Sequence, residues 1–183
     1  LELEITAWLR SPERKRQLAG EMYYDNQQDI LAKRRMAIDD NGDPIEVRHL
    51  PNNRLISNQY AKMVDQKTNY SFGRPFSFDT EDKGYAEALS QVFGSRFRRV
   101  MRNLGEGAWI GGKSWLYLYY DAGELVFKRL PADEVLPFWA DADHTILDAA
   151  VHVYAVEEYD ESEIPKAVIK VEAVSYTHLT LPT

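Results

Sequence analysis

One stretch of the chain has residue types and spacing that could do chemistry. Residues Gly107–Ser114, with the sequence GAWIGGKS, satisfy the phosphate-binding pattern G-x-x-x-x-G-K-[ST]. In a working loop of this kind, backbone N–H groups and the positive N-terminus of a following helix surround a phosphate. The Lys contacts the phosphates, and the Ser hydroxyl binds magnesium. The pattern therefore raises the hypothesis of a nucleotide-binding protein that uses Lys113 and Ser114.

The surroundings of this motif argue against phosphate binding. The strongest amphipathic helical pattern precedes the glycines, and an aromatic, β-prone run, Trp115–Tyr120, follows Lys113. Trp109 and Ile110 would put bulky side chains into the phosphate cradle, and Thr145–Asp148 is a poor match for the acidic strand that holds magnesium. We interpret the motif as a glycine-rich connection from a helix to a strand.

The other candidate residues favour structural roles. The chain has four histidines, and none of them has the i, i+4 partner typical of helical metal sites: His49, His144, His152 and His178. His152 alternates within an apolar strand pattern, which favours a buried structural histidine. Three carboxylates crowd one turn but lack the spacing of a calcium loop, so we interpret them as solvated turn acids: Asp141, Asp143 and Asp148. We therefore predict no catalytic residue, no bound cofactor and no metal site, and a protein that is not an enzyme.

The charges divide the chain into two unequal parts. Residues 1–113 carry 18 Lys+Arg and 16 Asp+Glu, whereas residues 114–183 carry 4 and 13, which gives a net charge of −7. The nearest approach to a basic nucleic-acid face is a cluster that we interpret as a solvated helix face: Arg96, Arg98, Arg99 and Arg102. The absence of cysteine excludes a disulfide scaffold. Because no apolar run approaches the ~20 residues of a membrane span, we expect no membrane partner.

The periodicity predicts helices in the first two thirds of the chain. The predicted elements are a helix from Pro12 toward Tyr23, a short helix over Gln27–Arg35, a hairpin pairing 36–38 with 45–47, a helix that is capped by Asn52-Asn53 and ends near Phe72-Gly73, a short strand over Phe76–Phe78, and a long amphipathic helix over Tyr85–Leu104. The caps and the apolar stripes carry these assignments.

After the glycines, the period changes to that of strands. The predicted strands are 115–120 and 125–130, joined by a turn at 121–123, then 135–139, 147–154 and 167–171, with an exposed acidic loop at 157–163. Helices followed by strands indicate the α+β class, in which N-terminal helices and a long amphipathic helix precede an antiparallel β meander.

The composition suggests three segments. We predict an N-terminal helical segment over residues 1–35, an α+β domain over 36–173, and a tail over 174–183 whose sequence VSYTHLTLPT resembles a translated sequencing-library adaptor. Because the chain starts without Met and the tail resembles an artefact, we expect a fragment of a longer protein.

Several of these residues also form an ordered pattern. The pattern consists of Tyr23-Tyr24-Asp25, Gln28–Leu31, Asn52–Ile56, Asn58–Tyr60, Val64–Tyr70, Gly73–Pro75, and Gly107–Gly112 leading into Trp115–Tyr120. This set resembles the portal proteins of long-tailed phages that infect Gram-positive bacteria, over roughly Pro12 to Tyr159. No single element is distinctive, but their order and spacing are.

The resemblance implies a structural role in the virion. Such a subunit would belong to a closed ring of about twelve copies at one capsid vertex. Double-stranded DNA would be packaged through this ring by the terminase large subunit and later ejected through it. Further partners would be the head–tail adaptor and the capsid and scaffold proteins, in the virion and, during assembly, in the host cytoplasm. The chain would match the α+β wing and lack the channel-lining stem and the clip. An unrelated α+β interaction module remains an alternative, beside the nucleotide-binding hypothesis.

Overall fold

The computed structural model describes residues 1–159 and 165–175 of the chain. The helices are α1 (Glu2–Leu9), α2 (Pro12–Tyr24), α3 (Gln59–Phe72), α4 (Lys83–Val92) and α5 (Ser95–Gly111). The strands are β1 (Met36–Ile38), β2 (Pro44–Glu46), β3 (Trp115–Asp121), β4 (Glu124–Leu130), β5 (Val135–Trp139), β6 (Leu147–Tyr159) and β7 (Pro165–Ser175). This order confirms the α+β class.

Capping residues predict only some of the helices near the N-terminus. Ser11 accepts a hydrogen bond from the Arg14 N–H, with Pro12 in the first turn, so α2 begins where the sequence predicted. No helix was predicted over residues 2–9, where α1 lies. The helix predicted over Gln27–Arg35 is a single 3-10 turn, Asp29–Ala32. The hairpin of β1 and β2 is confirmed, and its loop is closed by Asp39, which accepts from the Asn41 and Asp43 N–H groups.

The predicted cap of α3 is wrong. Asn52 does not begin a helix, because its side-chain amide donates to the Lys33 carbonyl at 2.9 Å and holds residues 51–58 against the preceding segment. The cap is Asn58, whose side-chain oxygen accepts from the Ala61 N–H at 3.0 Å. The end of α3 at Phe72 agrees with the prediction.

The single long helix predicted over Tyr85–Leu104 is two helices. The chain breaks at Phe93-Gly94, where Gly94 has extended backbone and precedes α5. The apolar stripe continues across the break, because the rings of Phe93 and Phe97 both contact Phe127, with centroids 5.8 and 4.8 Å away. Periodicity alone therefore does not reveal the break.

The strand predicted over Phe76–Phe78 is also wrong. These residues have no regular structure. Their rings extend the aromatic cluster instead, since Phe76 contacts Phe97 at 5.5 Å and Phe78 contacts Phe93 at 5.3 Å. Phe76 and Phe78 are therefore held by ring packing and not by pairing with another strand.

The described strands that follow α5 form two antiparallel sheets rather than the one predicted. β3 and β4 are joined by Ala122 and Gly123, both at positive φ (48° and 86°), which is the conformation of a two-residue type I′ turn. After a 3-10 turn at Ala132–Glu134, β5, β6 and β7 pair in that order. The two sheets share an apolar core, in which Trp115 and Tyr117 of β3 pack against the buried residues Leu130, Val135 and Ala150.

The predictions for the end of the chain are only partly testable. The predicted acidic loop is wrong for residues 157–159, which belong to β6, while residues 160–164 lie outside the described part. In the tail, residues 174 and 175 belong to β7, and 176–183 lie outside it. The division into segments 1–35, 36–173 and 174–183 stays a prediction. None of the helices in the described ranges is both long and apolar enough to cross a membrane.

Candidate functional site

The P-loop-like motif lies at the C-terminal end of a helix. α5 ends at Gly111, Gly112 has a left-handed conformation (φ 77°), and β3 begins at Trp115. A phosphate site needs the positive N-terminus of a helix, whereas the C-terminus presents carbonyl groups and the negative end of the helix dipole. The helix-to-strand prediction is therefore confirmed, and this geometry contradicts the nucleotide-binding hypothesis.

The glycines of this region serve close packing. A Cβ atom on Gly107 would lie 2.6 Å from Arg129 Nη2, and one on Gly111 would lie 3.1 Å from Ala132 Cβ. At Gly105, a Cβ would overlap the ring of Phe72 on α3. These contacts let α5 approach its neighbours more closely than a side chain would allow, which explains the glycine content without a ligand.

Lys113 has a role other than phosphate binding. The Lys113 ammonium forms an ion pair with Glu13 in the first turn of α2, and lies 5.9 Å from the centre of the Trp115 ring. The pair joins the start of α2 to the end of α5. Ser114 lies half-buried between Lys113 and β3. The motif is thus a structural connection between elements.

His152 is buried in the sheet, as the sequence analysis proposed. It is 5% exposed, its Nε2 lies 3.0 Å from a Glu134 carboxylate oxygen, and its ring stacks on Tyr154 with centroids 4.5 Å apart. Glu172 approaches its Nδ1 at 3.6 Å. His144 stacks on Trp139 at the exposed turn before β6. His49 is exposed, and His178 lies outside the described residues.

Asp141 organises the turn between β5 and β6. Its carboxylate accepts hydrogen bonds from the Thr145 hydroxyl at 2.6 Å and from the Thr145 and Ile146 N–H groups. These bonds, the hydroxyl first, lower the pKa of Asp141 to about 2. Asp143 and Asp148 are exposed, in agreement with the interpretation as solvated turn acids, whereas Asp141 has a structural role.

The arginine cluster lies on the exposed surface of α5. All four of its side chains are exposed, and one of them, Arg102, donates a hydrogen bond to Asn69 on α3 at 3.2 Å. Arg129 of β4 was not predicted as a site residue; it lies 3.8 Å from Glu21 and is half-buried. Burial raises the pKa of Glu21, and Arg129 opposes that shift. No local pattern relates two residues so far apart along the chain.

Asn58 is the centre of a polar network that joins the end of α2 to the start of α3. Its side-chain amide donates to the carbonyls of Tyr23 and Tyr24 at 3.1 and 2.9 Å, and to the side chain of Asn26 at 2.8 Å. The oxygen of the same side chain caps α3. One residue thus satisfies backbone groups at the ends of two helices.

Further side chains extend this network on both sides. The Tyr24 hydroxyl donates to Asp65 at 2.9 Å, and burial, followed by this bond, raises the pKa of Tyr24 to about 12. Tyr23 donates to Asp29 at 2.7 Å, and Arg54 donates to the Leu31 carbonyl at 3.0 Å. Residues 23–35 are thereby tied to residues 51–65.

Most residues of this network belong to the set whose order resembled a known family, and comparison with known proteins gives the same family. The sequence profile described as "Phage portal protein, SPP1 Gp6-like" matches residues 10–169. The chain belongs to the phage portal protein family. As a family, portal proteins are structural components of the virion.

Two curated portal proteins are similar to this family member. The portal protein of Clostridium phage phiCD119 is 30% identical over 179 residues, which cover 91% of this chain and 39% of that protein. The portal protein of Bacillus phage SPP1 is 26% identical over 151 residues, which cover 82% of this chain and 30% of that protein. The matched residues therefore span 30–39% of the length of these portal proteins.

Proposed function

We propose that this chain is the wing-like part of a subunit of the phage portal ring. In this proposal, about twelve copies of the full-length subunit form a closed ring at one capsid vertex. Double-stranded DNA passes through the ring during packaging and ejection without sequence-specific contacts. The observation that carries the proposal is the family match over residues 10–169, together with two relatives that are both portal proteins.

The partners in this proposal are the terminase large subunit, the head–tail adaptor, and the capsid and scaffold proteins. The subunit would be found in the virion and, during assembly, in the host cytoplasm. The stem and the clip would lie in the part of the subunit that this chain does not match. The share of the relatives that the chain covers, 39% and 30%, supports this division.

Assembly of the full-length subunit tests the proposal. Native mass spectrometry and negative-stain electron microscopy of the purified full-length protein should show closed rings. DNA packaging should then require these rings together with the terminase. A subunit that stays monomeric at all accessible concentrations and in the presence of scaffold protein would refute the proposal and favour an unrelated interaction module.

A second measurement separates this proposal from the nucleotide-binding hypothesis. Because Lys113 is paired with Glu13 at the C-terminal end of α5, isothermal titration with magnesium ATP should show no binding. Binding that Lys113→Ala abolishes, while Glu13→Gln leaves it intact, would instead identify a phosphate site.

A further inference from the structure

A groove between α5 and β4 collects positive charge beside apolar side chains. We call it the α5–β4 groove; its volume is about 480 Å³. Its lining includes four cations and two apolar residues: Arg96, Arg99, Lys128, Arg129, Val100 and Phe127. Basic side chains around an aromatic surface are typical of protein interfaces, where arginine and aromatic residues are enriched.

Most of the charge in this groove is unpaired. Arg129 lies 3.8 Å from Glu21. Arg96, Arg99 and Lys128 are exposed, and none of them lies within 4.0 Å of a carboxylate that belongs to residues 1–159 or 165–175. The groove therefore has the chemistry to accept an acidic partner that also offers apolar surface.

The last sheet extends into a two-stranded arm. β5 pairs with β6 only as far as His152, whereas β7 pairs with β6 through Tyr159. We call residues 153–159 and 165–171 the β6–β7 arm. At about 3.4 Å per residue, seven pairs extend roughly 24 Å beyond the last residue of β6 that pairs with β5. An element of this length can reach another subunit.

The two faces of this arm differ in whether their polar side chains have bonding partners within the arm and its sheet. Along one face, Tyr154 donates a hydrogen bond to Glu172 at 2.6 Å, and Lys170 forms an ion pair with Glu158 at 3.0 Å. These polar groups therefore bind one another. We call this the paired face.

The opposite face carries apolar residues and one acid. Register places Ala155 opposite Ile169 and Glu157 opposite Ala167. Ile169 is 62% exposed, and Glu157 is exposed, with no cation within 4.0 Å among residues 1–158 and 167–173, whose side chains the structure describes. We call this the open face; it offers apolar surface and negative charge together.

We propose that the open face of the β6–β7 arm of one subunit docks in the α5–β4 groove of the next subunit. This inference rests on the proposed function. Each subunit carries both surfaces, so the contact is head-to-tail and propagates around a ring. Glu157 would meet the groove cations, and Ile169 would lie against Phe127 and Val100. Charge complementarity supports the pairing, because Glu157 is acidic whereas Arg96, Arg99 and Lys128 are basic.

Double-stranded DNA fits this groove less well than the arm does. Proteins that bind DNA through its backbone neutralise several phosphates along an extended basic surface. The groove offers three unpaired cations and an aromatic wall, in a chain of net charge −7. The apolar lining would gain nothing from contact with phosphate, whereas it would gain from Ile169.

Cysteine cross-linking tests the contact directly, because residues 1–183 contain no cysteine. Two single variants of the full-length subunit, Asn103→Cys in the groove and Ala155→Cys on the open face, are mixed, assembled and treated with a short bismaleimide. Any cysteine elsewhere in the subunit is first replaced by serine. A dimer band that requires both variants is expected. Val156→Cys, on the paired face, is the matched control and should give no such band.

The outcomes separate this inference from the proposed function. Rings without a band for Ala155→Cys would overturn the inference and leave the ring proposal standing. Failure of the parent protein to form rings would overturn both. Because each variant carries only one cysteine, a cross-link within one subunit cannot produce the band.

Charge reversal provides an independent test. Arg96→Glu combined with Arg99→Glu should raise the subunit concentration needed for half-assembly at least about tenfold, since like charges would then face Glu157. Adding Glu157→Lys should recover part of the loss. Arg98→Glu, on α5 but outside the groove, is the control and should assemble normally. If the double variant assembles normally but loses salt-dependent binding of double-stranded DNA, the groove contacts DNA and the inference is wrong.

Discussion

The helical and strand regions of this portal protein are held together by different kinds of contact. Between α2, α3 and α5, side-chain hydrogen bonds of Tyr24 and Asn58 join α2 to α3, and glycines allow close approach. Between β3, β4 and the last sheet, the core is apolar and centred on Leu130 and Val135. The helical region depends on specific polar and backbone contacts, and the strand region depends on buried apolar volume.

This difference explains where the family pattern lies. An apolar core accepts other apolar residues of similar volume, so its sequence can vary. A side chain such as Asn58, which satisfies the ends of two helices at once, has no equivalent replacement. Most of the residues that mark the family accordingly fall between positions 23 and 75, in the helical region.

The largest effect on stability is expected in the strand region, from Leu130→Ala. Leu130 is 7% exposed and contributes to the shared core of the two sheets. Removing its side chain leaves a cavity and should lower the free energy of unfolding by about 3 kcal/mol. Urea titration followed by tryptophan fluorescence measures the change. Leu118→Ala, in β3 but 50% exposed, is the control; an equal loss there would contradict the assigned core.

A smaller but still large effect is expected in the helical region, from Gly20→Ala. The added Cβ would lie 2.5 Å from the Ile110 carbonyl oxygen, so α2 and α5 would have to separate. We expect a loss of about 2 kcal/mol, even though alanine is the better helix former. Hydrogen exchange should rise in α2 and α5 and stay unchanged in β5 and β6. Gly84→Ala in α4, whose added Cβ would meet only an Asp82 carboxylate oxygen at 3.3 Å, should be nearly neutral.

The smallest of the three effects is expected from Asn58→Ala. This change removes the cap of α3 and the amide bonds to residues 23, 24 and 26, and should cost about 1.5 kcal/mol because water reaches part of the site. Asn58→Asp keeps the cap but loses the donated bonds, so it should fall between the parent and Asn58→Ala. If Asn58→Asp matched the parent, the cap alone would account for the role of Asn58, and the comparison between the regions would weaken.

The sequence predicted those features that depend on neighbouring residues. The Ser11-Pro12 start of α2, the turn at Ala122-Gly123, and the passage from α5 into β3 are all local in origin, and the structure confirms them. The role of the Gly107–Ser114 motif was also predictable, because it depends only on which elements precede and follow the motif.

The wrong predictions concern residues whose partners are distant in sequence. Asn52 was predicted to cap a helix, but its side-chain amide donates a hydrogen bond to the carbonyl of Lys33, nineteen positions earlier. Phe76 and Phe78 alternate like strand residues, but their rings pack against Phe97 of α5 and against Phe93 between α4 and α5. The break at Gly94 was missed because the stripe on its two sides packs on the same residue, Phe127. A local pattern cannot reveal a contact that only the tertiary structure brings about.

The contact of Gly20 with Ile110 has a consequence for how portal sequences can diverge. The atom that excludes a side chain at position 20 is a main-chain oxygen, which also accepts a hydrogen bond from the Tyr60 hydroxyl at 3.3 Å. Every amino acid at position 110 supplies that oxygen, so no exchange there can make room for a larger residue at position 20. The two positions should therefore evolve without covariation: 110 is free to drift among apolar types, while 20 remains glycine for as long as these two helices touch.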